Sequence, residues 1–191
     1  LERVEVIKGP ASTLYGQAPL GGMVNLVSKR PQRETFAEFG ATMGSHSLYE
    51  GTLDLNAPLL RQGNLPGGLE IYGRLVGLYS DTESFIHHVD RQRLYLAPSF
   101  TFSLGENTSL TLLNSYTHDT GVFPMPLPAK GTVLPNINGD ISESLYIGKP
   151  NTNGIDQSKY SSGYQFKHRF NDTVSFRQNF NYTRLEQDWD N

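Results

Sequence analysis

Residues 2–31 read ERVEVIKGPASTLYGQAPLGGMVNLVSKRP, and the reading of this stretch decides the fold. Val4, Val6 and Ile7 near its start and Val24, Leu26 and Val27 near its end are β-formers. Gly9-Pro10 and Gly21-Gly22 are turn signals that free the backbone from ordinary dihedral limits. The pattern predicts a strand, a turn, a short helical piece over residues 11–15, a second turn and a second strand. Gly9 and Gly16 also bracket a possible phosphate-cradling loop, but that motif closes on Gly-Lys-Ser/Thr, and here Gln17-Ala18 follow Gly16. An ordinary turn between core strands accounts for the glycines equally well.

From Glu34 onward the period becomes two, the spacing of strands whose faces differ. Over residues 174–183, Val174, Phe176, Gln178, Phe180 and Tyr182 alternate with Ser175, Arg177, Asn179, Asn181 and Thr183. Leu94, Leu96, Pro98, Phe100 and Phe102 oppose Arg93, Tyr95, Ala97, Ser99 and Thr101 in the same way, and Tyr160, Tyr164 and Phe166 oppose Ser161, Gly163 and Gln165. Seven strands follow, at residues 34–45, 48–59, 69–81, 92–103, 109–119, 160–170 and 174–186. The third alternates poorly. Pro98 cannot donate to a ladder, so it marks a bulge or an edge.

The 191 residues are 37% hydrophobic with a formal net charge of −3, which points to no nucleic-acid partner. Cysteine is absent, so disulfides and thiolate metal ligation are excluded. No apolar run reaches the roughly 18 residues of a membrane-crossing helix, but a barrel strand needs only about 9–11 alternating residues. A mean hydropathy of −0.44 is compatible with that. Two folds remain open, a transmembrane antiparallel barrel and a soluble β-sandwich. Strand length favours the barrel, since these runs of about 11–13 residues exceed the roughly 5–6 of globular strands. Phe/Tyr faces backed by Arg, Lys and Asn also suit lipid on one side and a wet lumen on the other.

The opening stretch resembles the end of the plug domain of TonB-dependent outer-membrane receptors, where a run close to ERVEVIKGPASTLYG, a Gly-Gly turn and VNLVSKRP lead into the first barrel strand. The segment YLAPSFTF is similar to the same family, and the resemblance is strongest to the ferric-siderophore, ferrichrome-receptor-like branch. It implies a β fold, a partial transmembrane antiparallel barrel of about seven strands preceded by the C-terminal part of a mixed α+β plug. On that basis residues 1–33 are expected to be plug and residues 34–191 the N-terminal part of the barrel. A plug motif at the first residues, with no initiator Met at Leu1, suggests a fragment without its export signal or TonB box. Residues 104–108 and 171–173 then read as short periplasmic turns, and residues 120–159, rich in Pro, Gly and Asn, as a long external loop.

The resemblance further implies an outer-membrane receptor that imports ferric siderophores with TonB-supplied energy, with the siderophore, the TonB complex and outer-membrane lipid as partners. Cobalamin or a sugar is the alternative substrate within the class. No metal ligands or cofactor are expected, because iron arrives already chelated. His46, His87, His88, His118 and His168 are scattered, and no nucleophile elbow or ordered triad stands out, so no enzyme is expected. By the resemblance, Tyr15 and Gln17 in the plug and Phe85, Phe123 and Tyr146 in the loops are candidates for siderophore contact. Arg3, Lys29 and Arg30 are candidates for pairing with acids of the barrel wall, Arg30 foremost. The sequons at Asn107, Asn171 and Asn181 read as polar turn or lumen positions.

Overall fold

The computed structural model describes residues 1–9, 21–61, 68–149 and 154–189. Among them the regular elements are nine strands: β1 (Arg3–Lys8), β2 (Gly22–Val27), β3 (Phe36–Gly44), β4 (Leu48–Leu60), β5 (Leu69–Glu83), β6 (Asp90–Leu104), β7 (Thr108–Val122), β8 (Gly154–Arg169) and β9 (Ser175–Trp189). Every pairing between strands is antiparallel. The helical piece expected at residues 11–15, with Tyr15 and Gln17, lies outside the described residues.

The first two strands form their own ribbon, from Arg3↔Val27 to Lys8↔Gly22. Gly22 closes it at a φ of +114°, and a Cβ there would stand 2.2 Å from the Ile7 carbonyl oxygen, so only glycine fits. Glu5 accepts from Arg3 at 2.6 Å and from Asn25 at 2.8 Å. Arg3 first, then Asn25, holds its carboxyl below the usual range.

The other seven strands form one up-and-down sheet in sequence order, β3 to β9, with β3 and β9 as its edges. Because the register pairs Asp54 with Val76, Arg74 with Ser99, Thr101 with Thr111, Thr111 with Gln165, and Gln165 with Asn179, those residues share one face. The opposite face carries Phe39, Leu53, Leu75, Phe100, Leu112, Tyr164 and Phe180 in neighbouring strands. Aromatic pairs knit it together: Tyr116–Tyr160 at 4.8 Å, Tyr164–Phe180 at 5.7 Å and Phe166–Phe176 at 6.1 Å between ring centroids. One face is thus apolar across all seven strands and the other mainly polar, as the alternation predicts outside β5.

Three details correct the sequence-based expectation. The sixth barrel strand begins at Gly154 rather than near residue 160, so the long connection is residues 123–153 instead of 120–159. Its first residues, Gly154 to Lys159, pair with Val122 to Thr117. They carry little apolar alternation because they lie beyond the row of tyrosines, Tyr79, Tyr116, Tyr160 and Tyr182, that tops the apolar face. Outward positions past that row are polar, with His118 3.5 Å from Asp156 and Arg184 2.5 Å from Glu186. Pro98 is neither an edge nor a bulge: the β6–β7 ladder skips Ala97 and Pro98 but resumes in unchanged register from Leu96↔Tyr116 to Ser99↔Leu113. The bulge lies instead between Pro58 and Leu60 on β4. The weak alternation of β5 has a plain cause, since Tyr72, Val76 and Leu78 are apolar on the inner face.

The connections at the two rims differ. Asn171 Oδ1 accepts from the N–H groups of Thr173 and Val174 at 2.9 and 2.8 Å and closes the β8–β9 turn. Asn107 Oδ1 accepts both Nε and Nη2 of Arg169, and Asn181 Oδ1 accepts from Ser161 at 2.9 Å, so all three sequon asparagines hold turn or inner-face structure. At the other rim the β3–β4 turn places His46 and Ser47 both at positive φ, and the Glu83 N–H donates to the His46 carbonyl at 2.9 Å.

Candidate functional site

The inner face carries two polar constellations at different heights. The lower one forms where residues 29–34, between β2 and β3, cross the inner sides of β4 and β5. Asp54 and Arg74, 7% and 5% exposed at the side chain, meet in a bidentate pair with both bonds at 2.7 Å. Lys29 Nζ adds a third contact to Asp54 at 2.5 Å. Arg74 also donates to the Arg30 carbonyl at 2.9 Å, and its guanidinium stands 5.0 Å from the Phe36 ring centre. One buried carboxylate therefore faces two cations, an arrangement that desolvation makes costly to break.

Asn56, next along the same face of β4, is at 2% exposure the most buried side chain among the described residues. Its Oδ1 accepts from the Gln32 N–H at 2.9 Å, and its Nδ2 donates to the carbonyls of Gln32 and Glu34. An extended segment outside any sheet is thereby satisfied by one side chain. Asn56→Ala should leave those three groups without partners and cost about 1–3 kcal/mol, read as the shift in urea midpoint when the full-length protein folds into lipid vesicles. An unchanged midpoint would mean that water replaces the amide. Beside it, Arg33 pairs with Glu70 at 3.1 Å, and the Tyr72 hydroxyl donates to the same carboxylate.

The upper constellation lies at the rim with the long loops. A cavity of about 370 Å³ opens on the inner face there, between the ends of β5 and β7 and the starts of β6 and β8. Arg93 holds both oxygens of Asp119 at 2.5 and 3.0 Å, and Arg91 approaches the same carboxylate at 3.7 Å. Phe123 lines the cavity and stacks on Trp189 at 5.7 Å. The loops join above it: the His87 N–H donates to the Ser144 carbonyl at 3.0 Å, and the His88 and Tyr146 rings stand 6.1 Å apart. These are groups for holding a ligand by charge, hydrogen bonds and flat apolar surface.

No protein-family model matches the chain. Individual proteins do. It is 39% identical over 178 residues, 93% of its length, to the metal-pseudopaline receptor CntO of Pseudomonas aeruginosa. It is 34% identical over 185 residues, 95% of its length, to the ferrichrome outer membrane transporter/phage receptor of Escherichia coli K12. Among solved structures, the closed form of the ferric-catecholate import receptor Fiu of E. coli superposes with a TM-score of 0.83 at 26% identity, over 97% of this chain and 26% of that one. The chain belongs to the TonB-dependent siderophore receptors. It spans about a quarter of the length of the curated relatives it matches, 24% of each of the two named here.

This segment is therefore an outer-membrane protein whose relatives are receptors and transporters, and its seven-stranded sheet is part of a receptor barrel. Of the residues singled out for siderophore contact, Phe123 lines the rim cavity, Phe85 stands 57% exposed in the loop between β5 and β6, and Tyr146 lies in the long loop against His88. The His87–Ser144 bond thus brings the loops of Phe85 and Tyr146 together. Of the expected wall contacts, Arg3 pairs within its own strand with Glu5, Arg30 reaches the wall through its carbonyl, and Lys29 makes the ion pair to a barrel acid. The sequence did not single out Asp54, Asn56, Arg74, Arg91, Arg93 or Asp119. Their only local signal is alternation, as in Leu53-Asp54-Leu55-Asn56, which places them on the inner face but names no partner.

Proposed function

We propose that this segment is the end of the plug, residues 1–33, and the first wall strands, residues 34–191, of a receptor that imports ferric siderophores across the outer membrane with energy supplied through TonB. The observation that carries the reading is the inner-face anchoring of residues 29–34: a strand-linked segment is tied by buried polar bonds to the side of the sheet that faces away from the apolar surface. A plug leading into its own barrel needs that connection. Names of the relatives support the substrate class, since they are receptors for metal-pseudopaline, ferrichrome and ferric catecholates. Uptake of iron-55 by cells that carry the full-length receptor as their only siderophore receptor, across a panel of ferric siderophores, tests it. Import of at least one ferric chelate, lost without TonB, is the expected result; cobalamin or sugar uptake with no chelate imported would redirect the substrate assignment.

Within this reading Tyr15, just before the permissive Gly16, meets the siderophore from the plug side, with Gln17 beside it. A tyrosine offers a flat apolar face and one hydroxyl, which suits a bulky, oxygen-rich chelate. A lost hydrogen bond costs about 0.5–1.5 kcal/mol, and loss of the ring adds to it. Tyr15→Ala should weaken binding about tenfold or more and Tyr15→Phe less, as measured by ferric-siderophore affinity of the membrane-inserted full-length receptor. Parental affinity in both variants would make Tyr15 a packing residue.

A further inference from the structure

We infer that Arg91 is a specificity residue of the rim cavity, and that it selects ferric chelates carrying a free carboxylate or similar oxyanion over uncharged ones. The inference rests on the siderophore-receptor reading and adds to it the charge class of the substrate.

Face alternation sorts the charges at the rim. Glu83 and Asp90 pair with each other in the ladder, on the face that continues into the apolar surface, and Glu83 is engaged there by the Ser47 hydroxyl at 3.1 Å. Thr82 and Arg91 form the adjacent rung and face inward, as do Arg93, Asp119 and Gln157. The inward charges lining the cavity are then two guanidiniums and one carboxylate, while Glu83 and Asp90 line it from the adjoining rung. Asp119, 13% exposed, gives both oxygens to Arg93 at 2.5 and 3.0 Å and is 3.7 Å from Arg91, whose side chain stays 60% exposed. Arg91 is therefore the guanidinium of the cavity that Asp119 holds least.

The neighbouring rung makes room beside it. Arg91 pairs with Gly121, which pairs in turn with Ile155, so the inward position next to Arg91 bears no side chain. It cannot acquire one cheaply, because a Cβ on Gly121 would stand 2.5 Å from the Asp90 carbonyl oxygen. A planar anion placed over Gly121 could take Arg91 in a forked hydrogen-bonded pair, with Phe123 on Trp189 as the apolar side of the same cavity. At about 370 Å³ the space suits one arm of a chelate or a small whole one.

The test uses one ferric trihydroxamate scaffold in two forms, a terminal carboxylate and its methyl ester, so that size and iron coordination are matched. Their affinities are measured as competitors of the siderophore that the uptake panel identifies, on full-length receptor in vesicles at low salt. The acid should bind about tenfold or more tighter than the ester. Arg91→Gln should abolish that preference by weakening the acid about tenfold while moving the ester less than about twofold. Arg91→Lys should keep part of it, since an ammonium retains charge but not the fork. Asp119→Asn, which frees the Arg93 guanidinium, should move the other way and strengthen the acid. Equal binding of acid and ester, or a preference that survives in Arg91→Gln, would overturn the inference while leaving the receptor reading intact. So would failure of the acid to compete while uptake of the identified siderophore continues. Absence of any ferric-chelate uptake would instead remove the reading beneath it.

Discussion

Asp54→Ala is expected to destabilise the full-length receptor by about 3–5 kcal/mol, because it strips the only carboxylate from a pair in which Arg74 is 5% exposed. Arg74 would keep the Arg30 carbonyl and the Phe36 ring but would lose the carboxylate that takes two of its N–H donors. Lys29, 28% exposed at the side chain, can turn to water and suffers less. The comparison variants follow from the same geometry. Lys29→Ala should cost much less, since Asp54 retains both bonds from Arg74. The double variant Asp54→Leu/Arg74→Leu should recover most of the loss, because removing both charges removes the desolvation cost with them. Urea titration of folding into lipid vesicles measures all three. A double variant as unstable as Asp54→Ala would show that the pair contributes more than charge compensation.

Phe180→Arg should be the most damaging substitution on the outer surface of β9, at about 2–4 kcal/mol for a cation at the middle of the lipid-facing band. Phe180 lies between Phe176 and Tyr182 on the outward face, stacks on Tyr164 at 5.7 Å, and is 55% exposed to what surrounds the sheet. Its neighbour Asn179 pairs with Gln165 and faces inward. Asn179→Arg should therefore cost far less, adding a cation where Arg177 and Lys167 already sit across from each other. Equal losses for the two arginines, measured in the same vesicle-folding assay, would mean that the apolar face does not meet lipid.

Both expectations depend on the direction of each strand residue, and that was legible from the chain alone. Residues 174–183 and 93–102 alternate so regularly that their outward and inward sets could be assigned before any partner was known, and the register confirms them. The alternation failed where its physical source failed. β5 carries apolar residues on both faces, because Tyr72, Val76 and Leu78 stand on its inner side. The start of β8 has left the apolar band, so nothing in its composition marks it as strand although its backbone pairs with β7 through to Val122↔Gly154. Pro98 looked like a defect in a single strand, yet two flanking strands hold its register.

Side-chain direction in a strand is a local property with a period of two, so the sequence by itself determined the two faces, the strand order implied by short turns, and the turn chemistry of Asn171. Which inward residues meet is not local. Lys29, Asp54 and Arg74 come from three separate segments, and Arg91 and Asp119 from strands joined by a turn, with Phe123 just past the end of the second. Only the tertiary structure decided those contacts, since a one-residue slip of register would have sent every one of these side chains to the opposite face. Burial of Asp54 with Arg74, and the exposed guanidinium of Arg91, are consequences of that register rather than of any motif a reader could find along the chain.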